Sequence, residues 1–150
     1  MRLTAKSEYG LLAMIDLACR ATEGPISTRE ISQRQEIPPK YLEQLFVALR
    51  KAGLVHAVRG ARGGFALDRR AEDITVLDVV EALEGSLRPT VCDSERAAVC
   101  ERSGSCAASD VWDRATRAVR EVLETTTLAS LAHTQEALDE AAPDTNLAER

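Results

Sequence analysis

Residues 27–67 read STREISQRQEIPPKYLEQLFVALRKAGLVHAVRGARGGFAL, and the order of caps, breakers and periodic runs in this stretch decides the fold. Ser27-Thr28-Arg29-Glu30 places a hydroxyl at a cap and a carboxylate three residues on, a capping-box pattern that starts a short helix through Ile31 to about Gln35. Glu36-Ile37-Pro38 is the turn. Pro39 supplies a first-turn proline for the next helix, Lys40 to Ala52, which Gly53 ends. Its apolar stripe is Leu42, Leu45, Phe46 and Leu49, which leaves Lys40, Tyr41, Glu43, Gln44 and Lys51 on or near the outer face. Leu54 to Arg59 reads as a strand, Gly60-Ala61-Arg62-Gly63-Gly64 as a tight basic tip and Phe65-Ala66-Leu67 as the returning strand. Helix, turn, helix and basic hairpin is the winged helix-turn-helix layout, in which the start of the second helix enters the major groove.

On the N-terminal side, Ser7-Glu8-Tyr9 opens a helix with Leu12, Ile15 and Cys19 on one stripe and Leu11, Met14 and Ala18 beside it, stopped near Glu23-Gly24-Pro25. On the other side, Thr75 with Asp78 starts a helix to Gly85, whose Val76, Val79, Val80 and Leu83 should pack back on the winged domain. From about Ser109 a long helix carries Trp112, Ala115, Val119, Val122 and Leu123 on a narrow stripe. So narrow a stripe covers little of its own chain and fits a partner helix from a second subunit better than a helix folded back on its own domain, as a palindromic DNA site also requires. Thr127 to Leu131 reads as a short capping helix. The expected fold is mainly α with a small β-hairpin: a winged helix-turn-helix domain over 1–85, a cysteine-bearing loop over 86–108, dimerisation and capping helices over 109–134, and a disordered tail over 135–150.

Composition agrees with this layout. The chain has 150 residues, 45% hydrophobic but only 3% aromatic, so its core must be aliphatic and Ala-rich, which favours helices. No run reaches the ~18 apolar residues of a membrane span and no signal-peptide core opens the chain, so a cytoplasmic protein is expected. The net charge of −5 hides an asymmetry. Residues 1–70 hold 12 Lys and Arg against 7 Asp and Glu, whereas residues 71–150 hold 7 against 17. A cationic first half suits an anionic partner. Candidate DNA contacts are Lys40, Tyr41, Glu43 and Gln44 on the second helix, Ser27 and Thr28 at the start of the first, and Arg59 and Arg62 on the wing. A protein-binding module could use the same elements. The glycine-rich tip lacks the lysine and hydroxyl of a phosphate-binding P-loop, and no nucleophile–base pair stands at a recognisable spacing, so an enzyme is not expected.

Cys92, Cys100 and Cys106 form a C-x7-C-x5-C pattern in a polar segment. Thiolates are soft ligands that suit iron–sulfur clusters and zinc. Three cysteines are too few for a four-thiolate site; on the residues alone a cluster and a structural zinc rank about equally, and a thiol switch or three unrelated cysteines are the other readings. Cys19, on the apolar stripe, reads as a core thiol.

Met1-Arg2-Leu3-Thr4, Tyr41-Leu42-Glu43-Gln44-Leu45-Phe46, Leu49-Arg50-Lys51 with Gly53-Leu54-Val55, and Val58-Arg59-Gly60 with Gly63-Gly64 together resemble the IscR-like iron–sulfur transcriptional regulators of the Rrf-two family. Its other members include the nitric-oxide sensor NsrR, the iron regulator RirA and the cysteine-metabolism repressor CymR. The resemblance runs to about Ala137 and implies a homodimeric, mostly repressing regulator that binds a palindromic promoter site on double-stranded DNA. It places Tyr41, Glu43 and Gln44 on the recognition helix and Arg59 on the wing. Pro38 and Lys40 stand where IscR has serines, so an operator sequence does not transfer. It also implies that Cys92, Cys100 and Cys106 are the ligands of an iron–sulfur cluster, 2Fe-2S or 4Fe-4S. IscR has a histidine three residues after its last cysteine; here that position is Ser109. Some relatives instead use a carboxylate at the start of the first helix, from the other subunit, and Glu8 occupies that position; His56 and His133 are the remaining candidates. The alternatives are a cluster-free repressor acting through thiols or a partner protein, and an iron–sulfur carrier or electron-transfer protein.

Overall fold

The structure is a computed structural model that describes residues 3–87 and 106–142. Its elements are α1 (Ala5–Cys19), α2 (Thr28–Gln35), α3 (Pro39–Lys51), β1 (Val55–Val58), β2 (Gly64–Leu67), a 3-10 turn (Ala71–Asp73), α4 (Val76–Glu84), α5 (Ala107–Thr125) and α6 (Leu128–Ala141). The two strands pair antiparallel, Val55 opposite Leu67 and Val58 opposite Gly64.

Local chemistry sets the boundaries. Thr4, Ser27 and Thr75 each close a capping box with Ser7, Glu30 and Asp78, which satisfies the first free N–H groups of α1, α2 and α4. The turn between α2 and α3 passes through Glu36 in the left-handed region (φ 54°). Buried Ser32 holds that turn, its hydroxyl donating to the Ile37 carbonyl at 2.6 Å while Ile37 N–H returns to the Ser32 carbonyl. Pro38 and Pro39 then start α3 with no side-chain cap.

The core is aliphatic, as composition requires. Met14 and Leu17 of α1, Ile31 of α2, Leu42, Leu45, Phe46 and Leu49 of α3, Val79 of α4 and Leu128 of α6 meet in one cluster. Phe46 stacks on Phe65 of β2 with ring centroids 4.3 Å apart, so the wing is locked to α3. Ile26 adds a third backbone to the hairpin through reciprocal bonds with Phe65 at 2.9 and 2.8 Å. A Cβ on Gly64 would collide with the Ile26 carbonyl there, so glycine is required by that approach. Gly10 likewise admits Leu83 where α1 crosses α4.

Helix α4 has two working faces. Val79 and Leu83 join the main core, while Val76, Leu77 and Val80 form a second cluster with Leu87, Leu123 of α5 and Leu131 of α6. Main-chain bonds Val76 N–H to Thr126 and Leu128 N–H to Ile74, both 2.9 Å, pin the α5–α6 junction to the start of α4.

Three sequence expectations need correction. The buried face of α1 is Gly10, Ala13, Met14 and Leu17, whereas Leu12 is exposed and Cys19 only half-buried. Residues 11–15 are all apolar, so periodicity does not single out a face, and α1 is covered by α4 and α6 as well as α3. The segment after Thr127 is a fourteen-residue helix, not one short turn, and residues 135–141 belong to it, not to a tail. Its Leu128 and Ala132 are buried, with Ala132 beside Cys19, and that packing carries the helix forward. The long helix starts at Ala107, with Cys106 as its N-cap.

Candidate nucleic-acid interface

Helix α3 buries Leu42, Leu45, Phe46 and Leu49 and turns Lys40, Glu43, Gln44, Val47, Arg50 and Lys51 to solvent. The i, i+3, i+4, i+7 spacing of Lys40, Glu43, Gln44 and Val47 puts them on one face, beginning in the first turn. Among the described residues none of the four side chains is engaged in a hydrogen bond or ion pair. Tyr41 sits half-buried at the edge of this face, its ring edge-on to Tyr9 of α1 at 5.8 Å. It is therefore fixed by packing.

The wing stands beside α3. Gly60, with φ 123°, and the Gly63 N–H to Gly60 carbonyl bond at 3.0 Å close the tip, leaving Arg59 and Arg62 exposed. Arg62 and Gly63 line an open groove shared with Ser27 and Glu30 at the start of α2. There Ser27 is occupied: its hydroxyl donates to the Glu30 carboxylate at 2.6 Å and accepts from Glu30 N–H at 3.2 Å. Those hydroxyl and backbone N–H bonds from Ser27 lower the Glu30 pKa, so an anion already sits at this helix end. Thr28 is half-buried. The α2 terminus thus offers less to a phosphate than its Ser-Thr sequence suggests. His56 of β1 pairs with Asp68 at 3.2 Å at the base of the wing.

A polar constellation absent from the sequence reading fixes α2 to α1. Asp16 is buried (4% exposed) and accepts from Arg34 Nε at 2.9 Å and Nη2 at 2.6 Å, a bidentate pair, and from Gln35 Nε2 at 3.2 Å, while Arg20 Nε stands 3.8 Å away as an ion-pair partner without a hydrogen bond. The bond to Asp16 raises the Arg34 pKa further. The signal was present as an acid within an apolar helix, Asp16 between Ile15 and Leu17.

Of the cysteine trio, Cys92 and Cys100 lie outside the described residues. Cys106 is a half-buried free thiol at the N-cap of α5, where no side chain caps the helix and its dipole favours negative charge. Ser109 donates its hydroxyl back to the Cys106 carbonyl at 2.7 Å and so orders the cysteine's backbone. Glu8 is exposed in the first turn of α1 and, among the described residues, its carboxylate has no hydrogen-bond or ion-pair partner. His133 is exposed on α6. Among the described residues no cluster of three or more potential metal ligands is assembled. Cys19 lies against the Ala132 carbonyl at 3.8 Å, and burial, with the charges of Glu136 and Asp16 behind it, pushes its thiol pKa up, which suits an inert packed thiol.

Helix α5 buries no residue over its whole length, and Val111, Trp112 and Val122 are more than half exposed. Arg120 Nη1 holds it to Glu81 of α4 at 3.0 Å. Among the described residues no helix is long and apolar enough to cross a membrane.

The family model described as "Rrf2: Iron-dependent Transcriptional regulator" matches residues 3–134. Protein rrf2 of Nitratidesulfovibrio vulgaris is 44% identical over 131 residues, 87% of each chain. The HTH-type transcriptional regulator IscR of Photorhabdus laumondii is 38% identical over 146 residues, 97% of this chain and 88% of its own length. Among solved structures, CymR, the global cysteine regulator of B. subtilis, superposes with a TM-score of 0.74 at 40% identity over 89% of this chain and 98% of that one. T. potens IscR superposes with a TM-score of 0.72 at 37% identity over 100% and 94%.

Proposed function

Since the chain belongs to the Rrf2 family of winged-helix transcriptional regulators, which are not enzymes, we propose that it acts as a homodimer on a palindromic promoter site, mostly as a repressor, under the control of an iron–sulfur cluster. The observation that carries the reading is the pairing of two unspent surfaces: the polar face of α3 flanked by a basic wing, and the uncovered apolar face of α5. Lys40, Glu43 and Gln44 read bases, Tyr41 and Arg62 contact the backbone, and Arg59 reaches a phosphate or the minor groove. Two copies joined through Trp112 and Val122 supply the two-fold symmetry of such a site.

Cys92, Cys100 and Cys106 would hold the cluster, with Glu8 of the second subunit as the fourth ligand; the uncapped α5 terminus at Cys106 and the unengaged Glu8 carboxylate suit those roles. Bound there, the cluster supplies a redox-active iron centre whose oxygen ligand is exchangeable. The chain's own part is mechanical. Cys106 begins α5, Arg120 ties α5 to α4, Leu83 of α4 packs over Gly10 of α1, and α1 carries Glu8 while packing on α3. A change at the cysteine segment thus biases how the two α3 helices are presented.

Anaerobic purification with iron and sulfide counts, followed by gel shifts on the chain's own upstream region, tests both parts. A coloured protein whose DNA affinity follows cluster content is expected, with a less stable cluster in Glu8→Ala. Colourless protein whose DNA binding ignores iron and sulfide supply would leave a cluster-free, thiol- or partner-controlled repressor. The likeness to the cysteine regulator CymR supports that second reading.

A further inference from the structure

Val47 is 69% exposed, more than any other large apolar side chain among the described residues. Among the described residues no other exposed large hydrophobic lies between Leu12 and Val111. Its helix gives it no core role, because Leu45, Phe46 and Leu49 fill the buried face around it. A β-branched side chain on an exposed helical surface is also disfavoured relative to Ala or Lys, so local propensity does not account for it. Its position does. It lies at i+3 from Gln44 and i+4 from Glu43, on the same face as Lys40 and roughly 10 Å further along the axis. It is thus the apolar member of a row whose other members are a cation, a carboxylate and an amide.

In a major groove the carboxylate suits a cytosine amino group and the amide suits adenine, whereas an aliphatic side chain recognises the thymine 5-methyl. We propose that Val47 is a specificity-determining residue that reads a thymine methyl in each half-site. The inference rests on the DNA-reading role of α3 proposed above and adds to it a base identity. Burying one methyl group against Val47 corresponds to about fourfold in affinity per half-site.

The test uses the full chain, purified anaerobically, to select duplexes from a random-sequence pool. Each thymine of the selected site is then replaced by uracil, which removes only the 5-methyl group. Wild type should lose about fourfold per half-site at one symmetry-related pair of thymines, and Val47→Ala should bind the thymine and uracil duplexes equally. Val47→Thr, which keeps one methyl, should restore part of the discrimination. Because Val47 is exposed, all three proteins should melt alike. If wild type binds every uracil duplex as well as the parent, or if the loss persists undiminished in Val47→Ala, the assignment is wrong while the DNA reading stands. Failure to enrich any duplex would overturn that reading, and this inference with it.

Discussion

The reading head formed by α1 to α4 and the wing, and the long helix α5, are built from the same aliphatic, Ala-rich alphabet, yet they end in opposite states. Every helix of the head buries part of its surface: four side chains of α3 and five of α4 are out of water. Helix α5, longer than either, buries none. Part of the contrast is the width of the apolar arc. The head helices are clasped from two or three sides, whereas among the described residues α5 meets its own chain along the Ala115–Val119–Leu123 side and leaves Trp112 and Val122 in solvent. The head completes its own core, and α5 carries surface that a second copy can complete.

Breaking the head should cost most. Phe46 is fully buried and joins α3 to the wing through its stack on Phe65. Phe46→Ala should destabilise the fold by about 3–5 kcal/mol, seen as a lower urea midpoint, and should abolish DNA binding with it. The matching change in α5 should behave differently. Trp112→Ser with Val122→Ser should weaken self-association at least ~30-fold, the effect of losing an interface hot spot, and sedimentation should show monomers where wild type is a dimer. Its effect on a urea transition measured at monomeric concentrations should be small. A large loss of monomer stability would mean that α5 packs on its own head after all.

A third comparison sharpens what holds the head together besides apolar contact. Asp16 is buried and shared by Arg34, Gln35 and Arg20. Asp16→Ala should cost about 2 kcal/mol in chemical denaturation; the half-exposed Arg34 can recover water, which keeps the loss below that of a fully buried pair. Loosening α2 from α1 should also weaken DNA binding, because α2 sets the angle of α3.

How far each region was legible follows from the same physics. The capping boxes at Ser27 and Thr75, the Pro39 start of α3 and the glycine tip of the wing are local signals, and the structure has helices and strands within a residue or two of them. The four buried positions of α3 were readable because its polar and apolar residues segregate cleanly. Helix α1 was not, since five consecutive apolar residues fit any face and only the third layer, α6, decides between them. The extent of α6 was missed because its acidic, Ala-rich second half looks solvated, and its order depends on Leu128 and Ala132 packing against α1 and the core. Asp16 was not singled out, because its hydrogen-bond partners Arg34 and Gln35 arrive from eighteen and nineteen residues away. On the candidate site, the outer face of α3 was legible, but the occupation of Ser27 by Glu30 and the edge packing of Tyr41 depend on neighbours in space.

The smallest expected effect lies on the seam where α4 meets the start of α1. Glu84 ends α4 and accepts from Thr4 N–H at 3.1 Å, from the Thr4 hydroxyl and from Ser7 Oγ at 2.9 Å. Burial pushes the Glu84 pKa up, but the hydrogen bonds from Thr4 and Ser7 together outweigh it, so the folded value lies below the ordinary 4.5. A carboxyl whose folded pKa is depressed stabilises the fold fully above its unfolded value, and that contribution fades as pH falls through the lower folded value. The group is half-buried and water still reaches it, so the contribution is discounted to about 0.5 kcal/mol. Glu84→Ala should therefore melt slightly below wild type at pH 7, and the gap should narrow once the pH is taken below 4.5. A gap that is unchanged in acid would mean that apolar packing, the Gly10–Leu83 contact included, holds the α1–α4 seam, with the ionised carboxylate contributing nothing to the head's advantage over α5.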